Sequence, residues 1–126
     1  MSIRRYTPED YKELTSWYTK RNMVLVQEYH LAKIGFIVEG VAAGFLIQTD
    51  ANMGILEPFI ANPEASKEDR DTALDMIIEA LVHTAQELGY MSVFGFGKSL
   101  PMIRRSARHG FIVIEVNSST MFKEIR

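Results

Sequence analysis

Residues 55–94, ILEPFIANPEASKEDRDTALDMIIEALVHTAQELGYMSVF, set one long helical period between two short apolar runs. Ile55 to Ala61 has the length and apolar content of a strand, and Asn62-Pro63 ends it because proline cannot donate to a ladder and restricts the residue before it. Pro58 inside that run calls for a bulge or a sheet edge. After a loop from Glu64 to Asp71, the residues Ala73, Met76, Ile77, Ala80, Leu81 and Leu88 line one face of a helix over Thr72 to Leu88, with Gly89 as its natural stop. Tyr90 to Phe94 returns as a strand. Strand, helix and strand make one βαβ crossover, so part of the sheet is parallel.

Working outward towards the N-terminus, Val41 to Gln48 and Ile34 to Val38 are strands joined by a Glu39-Gly40 turn, and TDANMG over Thr49 to Gly54 turns the chain into Ile55. Before them, Tyr11, Leu14, Trp17 and Tyr18 recur at spacings of three and four on a helix. That helix opens with Thr7 as N-cap, Pro8 at the first helical position and Asp10 at capping-box distance, after a short strand over Ile3 to Tyr6. Towards the C-terminus, Ser99 caps a short helix over Leu100 to His109 and Gly110 breaks it. Phe111 to Val116 and Thr120 to Glu124 read as two closing strands joined by Asn117-Ser118-Ser119. The order β-α-β-β-β-α-β-α-β-β predicts an α+β fold, a mixed and mostly antiparallel sheet flanked by helices.

A chain of 126 residues and 14.4 kDa fits one domain, 1–126, and its 47% hydrophobic content allows a core. A net charge of -2 lacks the footprint of a dedicated nucleic-acid binder, which makes nucleic acid an unlikely partner. The absence of Cys removes disulfides, thiolate nucleophiles and Cys-ligated metals. His30, His83 and His109 lack metal-ligand spacing, and His83 reads as a surface pair with Glu79, so no metal site is expected. No apolar leader or membrane-length run is present, which makes the expected location cytoplasmic, with no membrane partner.

This order of elements resembles the GNAT superfamily of N-acetyltransferases. The pieces that carry the likeness are Ile3-Arg4 leading to Pro8-Glu9-Asp10, the glycines and valine of Gly35 to Gly44, Ala85 to Gly89 before a strand, and His109-Gly110-Phe111. Thr49 to Asn52 and Asn62 to Glu64 are similar to short phage-encoded members.

The resemblance implies acetyl-CoA as cofactor and transfer of its acetyl group to an amine. The acceptor, a small molecule or a protein amine, is unspecified, and a homodimer is left open. Backbone N–H groups of Phe59, Ile60 and Ala61 would polarise the acyl carbonyl. Counted back from Gly89, the pyrophosphate loop falls on Asp69-Arg70-Asp71-Thr72-Ala73-Leu74, where the family has glycines and this chain has none. Lys67, Arg70, Asp71, Thr72 and Ala73 are its candidate cofactor contacts; equally, Ser66 or Thr72 caps the helix and the acids around it complement its dipole. Ser99 and Arg104, with Lys98, Arg105, Arg108 and His109, form a second cluster that would receive a CoA phosphate or a nucleic-acid backbone, or lie on a solvated helix face.

For the chemistry, Glu57 is the acid on its strand placed to act as general base, and Ser106 occupies the position where the family carries a tyrosine general acid. A serine hydroxyl is a poor substitute for a phenol. Two functions follow, an acetyl-CoA-dependent N-acetyltransferase and a GNAT-like binding or structural module that has kept the fold and lost the cofactor.

Overall fold

Two strands rich in small and branched residues, β2 (Ile34–Val38) and β3 (Ala42–Ile47), pair antiparallel about the tight turn at Gly40. Gly40 takes φ +78, a left-handed value that glycine adopts without strain, and its N–H donates to the Glu13 carboxylate at 2.8 Å. The computed structural model describes residues 1–97 and 99–125. Within it the chain falls into two units, Met1–Phe96 and Gly97–Arg126.

In the first unit a short strand β1 (Arg4–Arg5) lies antiparallel to β2, β4 (Met53–Ala61) antiparallel to β3, and β5 (Ser92–Gly95) parallel to β4. The sheet order is β1-β2-β3-β4-β5. The helix α1 (Tyr11–Lys20) buries Leu14, Trp17 and Tyr18 against Ile37, Ala43, Phe45 and Ile60 on one face. Fully burying each such large side chain is worth about 1.5–3 kcal/mol. On the other face lies the crossover helix α2 (Lys67–Glu87), whose Ile77 reaches Gly44 of β3. Adjacent residues of a strand point to opposite faces, so Gly44 serves α2 while Ala43 and Phe45 serve α1. No helix among the described residues is long and apolar enough to cross a membrane.

Three expectations need correction. The segment Glu64 to Asp71 is a loop only as far as Ser66, because α2 starts at Lys67; the Ser66 hydroxyl accepts the Asp69 N–H at 3.0 Å and the acids Glu68 and Asp69 occupy the first turn, where the helix dipole favours them. Ser66, not Thr72, is therefore the cap. Leu88 is exposed rather than part of the buried stripe, since the helix ends at Glu87 and Gly89, at φ +86, turns the chain away. Leu74, Ile78 and Ala85 take the buried places instead.

In the second unit, α3 (Leu100–Arg108) starts at Ser99, whose hydroxyl accepts the Met102 N–H at 3.3 Å. The strands expected at Phe111 to Val116 and Thr120 to Glu124 do not form among the described residues. Alternation supplies strand propensity, but a strand exists only as one half of a ladder, and no ladder is made there. The sheet accordingly has five strands, and Ile112, Val113, Met121 and Phe122 are exposed.

Candidate active site

The ladder between β4 and β5 stops at Leu56↔Gly95, while β4 continues to Ala61. Beyond Leu56 the far side of β4 is therefore an edge. Opposite it, the register between β3 and β4 shifts between Gly44 and Leu46, where Phe45 alone faces Glu57 and Pro58, which places the bulge at Glu57-Pro58. Proline without an N–H fits an unpaired position there. The Asn62 N–H donates to the Val41 carbonyl at 2.8 Å, and antiparallel pairs alternate in direction, so Ile60 turns its amide towards β3 while Phe59 and Ala61 turn theirs to the open edge. Of the three backbone donors expected on this strand, Ile60 is committed to the sheet.

Glu57, at the bulge, is partly buried and lies near Tyr18 of α1. Burial first, and the Glu57 carboxylate second, push the Tyr18 phenol up to about 12. The phenol stays protonated at neutral pH, suited to donating a hydrogen bond rather than releasing its proton. Periodicity marks Tyr18 as core, and core it is at 4% exposure; its place beside an acid from β4 has no local signal in the sequence.

At the far end of the same strand, the turn Asn62 to Ser66 leads into α2. Residues 69–74, expected as the pyrophosphate loop, are helical. The N–H groups of Thr72, Ala73 and Leu74 lie more than a turn inside, where they serve carbonyls four residues back and are not available to an anion. Lys67 pairs with Asp71 at 2.8 Å, and Arg70 donates to the Pro63 carbonyl at 3.3 Å. Arg21, which follows α1 and which the sequence did not single out, donates from Nε to the Ala61 carbonyl at 2.7 Å.

The second unit carries Ser99, Arg104 and Ser106. Ser99 is used as a helix cap and the Ser106 hydroxyl donates to the Met102 carbonyl at 2.9 Å, so both are occupied within α3. Arg104 is exposed, but Arg105 is buried at 6% exposure with its guanidinium against Met102 Sδ at 3.4 Å, which removes it from the expected basic cluster. Lys98 lies outside the described residues. His83 pairs with Glu87 at 3.3 Å rather than with Glu79. Among the described residues no group of three or more His, Cys, Asp or Glu is placed to hold a metal ion.

An edge with two outward amides, an acid beside it and two guanidiniums at its end suits an acyl group with an anionic tail. No protein-family model matches the sequence, and no curated protein does. Solved structures do. The structure of Rv2747 from Mycobacterium tuberculosis in complex with CoA and NLQ matches with a TM-score of 0.74 at 19% identity, over 95% of this chain and 76% of that one. An acetyltransferase of the GNAT family from Staphylococcus aureus matches at 0.70 and 15% identity, over 98% and 92% of the two chains. The chain has the GNAT fold. A third GNAT-fold match, glucosamine-6-phosphate N-acetyltransferase from Arabidopsis thaliana, has a TM-score of 0.67 at 10% identity over 97% and 98% of the chains. The sequence resemblance assigns the acyl carbonyl to the open end of β4, and there Phe59 and Ala61 turn their amides to the edge while Ile60 does not. The turn Asn62 to Ser66 before α2 contains no glycine.

Proposed function

We propose that residues 1–126 act as a single-domain, acetyl-CoA-dependent N-acetyltransferase that works in the cytosol on an amine. The observation that carries the reading is the open edge of β4, where Phe59 and Ala61 present N–H groups beside Glu57. Acetyl-CoA, when bound, supplies the thioester carbonyl. The two amides meet the negative charge that develops on its oxygen and need no side chain to do so. Glu57 takes the proton that the attacking nitrogen must lose, the C–N bond forms, the C–S bond breaks, and the sulfur leaves with its electron pair. Tyr18, kept neutral by burial, stands near Glu57 from the core side.

Support for the donor comes from the residues at the end of the edge. Arg21, Arg70 and Lys67 bring positive charge to the strand exit, although the turn lacks glycine. The test exploits the absence of cysteine, because any thiol released from acetyl-CoA is then read without background from the protein. Incubation with acetyl-CoA and a panel of small amines and N-terminal peptides should release free thiol in step with one acceptor. No release above the buffer rate across the panel would count against the reading.

A second reading, a GNAT-fold module without catalysis, is favoured by one observation: Glu68 and Asp69 stand in the first turn of α2, and Ser66 already occupies the Asp69 N–H. It predicts thermal stability indifferent to CoA, since only a ligand of the folded state raises stability.

A further inference from the structure

Where the chain leaves β1 and where it enters β2, the surface is indented by a cavity of about 260 Å³ walled by Tyr6, Pro8, Glu28, Leu31, Ala32 and Lys33. Hydrogen bonds pin both walls. On one side the Tyr6 N–H donates to the Gly35 carbonyl at 2.9 Å, and the turn Pro8–Asp10 is fastened by Asp10, which accepts the Thr7 N–H at 2.9 Å and pairs with Arg4 at 2.7 Å. On the other, the Tyr11 hydroxyl donates to the Val26 carbonyl at 2.6 Å, and the Leu31 N–H donates to the Glu28 carbonyl at 3.1 Å, which closes the turn Glu28–His30. The cavity is thus preformed, as small-molecule sites usually are.

Its lining is mostly apolar: Tyr6, Leu31 and Ala32 pack against the core beneath α1, and Pro8 adds an apolar ring. Glu28 and Lys33 are exposed and supply the charged part of the wall. One polar group there is unmatched. The Tyr6 hydroxyl is buried and has no hydrogen-bond partner among the described residues. An unpaired buried hydroxyl opposes folding, because the bond it made with water in the unfolded chain is not replaced. Burial first, then the charges of Asp10, Glu28 and Tyr11, push this phenol up to about 12, so at neutral pH it holds its proton and is able to donate. The same carboxylates disfavour a further negative charge beside it. Its complement is a neutral oxygen acceptor on a small apolar body. An apolar cavity of about 150 Å³ takes up benzene, so this one has room for a ring with a short substituent.

We infer that this cavity binds a small, neutral carbonyl compound, whose oxygen accepts from the Tyr6 hydroxyl and whose apolar body lies against Pro8, Leu31 and Ala32. The site is separate from the candidate active site. The Tyr6 ring meets the Phe45 ring edge to face, with centroids 4.8 Å apart, and Phe45 is the β3 residue that faces the Glu57-Pro58 bulge. In the sheet order, β2 and β3 lie between the strand that Tyr6 follows and the strand that carries Glu57. The inference therefore stands or falls independently of acetyl-CoA binding.

The test is an NMR titration of the isotope-labelled full chain with acetophenone, with ethylbenzene, which keeps the shape and lacks the oxygen, and with benzoate, which adds a negative charge. Acetophenone should shift the amide resonances of Tyr6, Leu31, Ala32 and Lys33 saturably and leave those of Phe59 and Ala61 in place. Ethylbenzene should bind about three- to tenfold more weakly, the span of one neutral hydrogen bond. Benzoate should also bind more weakly than acetophenone. In Tyr6→Phe the ketone should fall to the affinity of the hydrocarbon, and the variant should resist urea at least as well as wild type, because the unmatched hydroxyl has gone. Ala32→Leu, which fills the cavity, should abolish the shifts; if it fails to fold, Tyr6→Phe carries the test. No saturable shift at millimolar acetophenone, equal affinity for ketone and hydrocarbon, or tighter binding of benzoate would overturn the inference.

Discussion

The ring of Phe59 lies where a side chain on Gly44 would stand: a Cβ there would meet its Cδ1 at 2.5 Å and Ile77 Cγ2 at 2.8 Å. Glycine at this one position of β3 lets the Phe59 ring and α2 both rest on the sheet. It thereby fixes the strand segment whose outward amides form the candidate site.

Gly44→Ala is therefore expected to cost about 1–3 kcal/mol through overpacking, since the added Cβ meets the fully buried Ile77 at 2.8 Å and the partly buried Phe59 ring at 2.5 Å. Urea denaturation measures it. The variant should also weaken acetyl-CoA binding, because relief of the clash displaces the Phe59 and Ala61 amides. A variant as stable as wild type would show that the close approach is not needed.

Glu57→Gln keeps the size and polarity of the side chain and removes its basicity. Loss of a working general base lowers turnover roughly 10² to 10⁴-fold, so kcat should fall in that range and lose its acidic limb, with acetyl-CoA affinity preserved. A kcat and pH profile like those of wild type would assign Glu57 a structural place only.

Stability should decline in alkali through Tyr18. Its folded pKa, about 12, exceeds the ordinary value of 10.0, so between those two values the unfolded chain has released a proton that the folded chain still holds. Stability is complete below 10 and drains away as pH rises towards 12, by about 2–3 kcal/mol for a shift of that size at 1.36 kcal/mol per pH unit. Burial raises the Tyr6 phenol to about 12 as well, so chemical denaturation at pH 9 and pH 11.5 should show a decline to which both contribute, and Tyr18→Phe should remove the Tyr18 share of it. A decline in Tyr18→Phe as large as in wild type would assign it to Tyr6 and take Tyr18 out of the account.

These expectations also separate what was legible in the sequence from what was not. The bulge in β4 was legible because proline has no N–H and Pro58 must sit at an unpaired position. The buried stripe of α1 was legible because Leu14, Trp17 and Tyr18 repeat at helical spacing. The start of α2 was not: no glycine or proline separates turn from helix, and Ser66 followed by acids is a cap that a count back from Gly89 passes over. Arg21 was missed for another reason, since its bond to Ala61 joins residues 40 positions apart and leaves no local pattern. The closing strands were over-read because alternation at Phe111 to Val116 declares a preference and says nothing about a partner.

Ser106 provides a contrast with Glu57. Its hydroxyl is donated to the Met102 carbonyl, a bond within α3 that Ala would simply leave out. Ser106→Ala should change kcat by far less than the roughly 100-fold that removal of a working general acid costs. A loss on that scale, with folding intact by circular dichroism, would make the hydroxyl part of the chemistry after all.

The central claim is that the open end of β4 and the cations at its exit hold an acyl-CoA. Calorimetric titration of the purified chain with acetyl-CoA tests it most directly. Saturable binding of one acetyl-CoA per chain, weakened by added salt, is the expected result; no heat of binding at millimolar acetyl-CoA would contradict it.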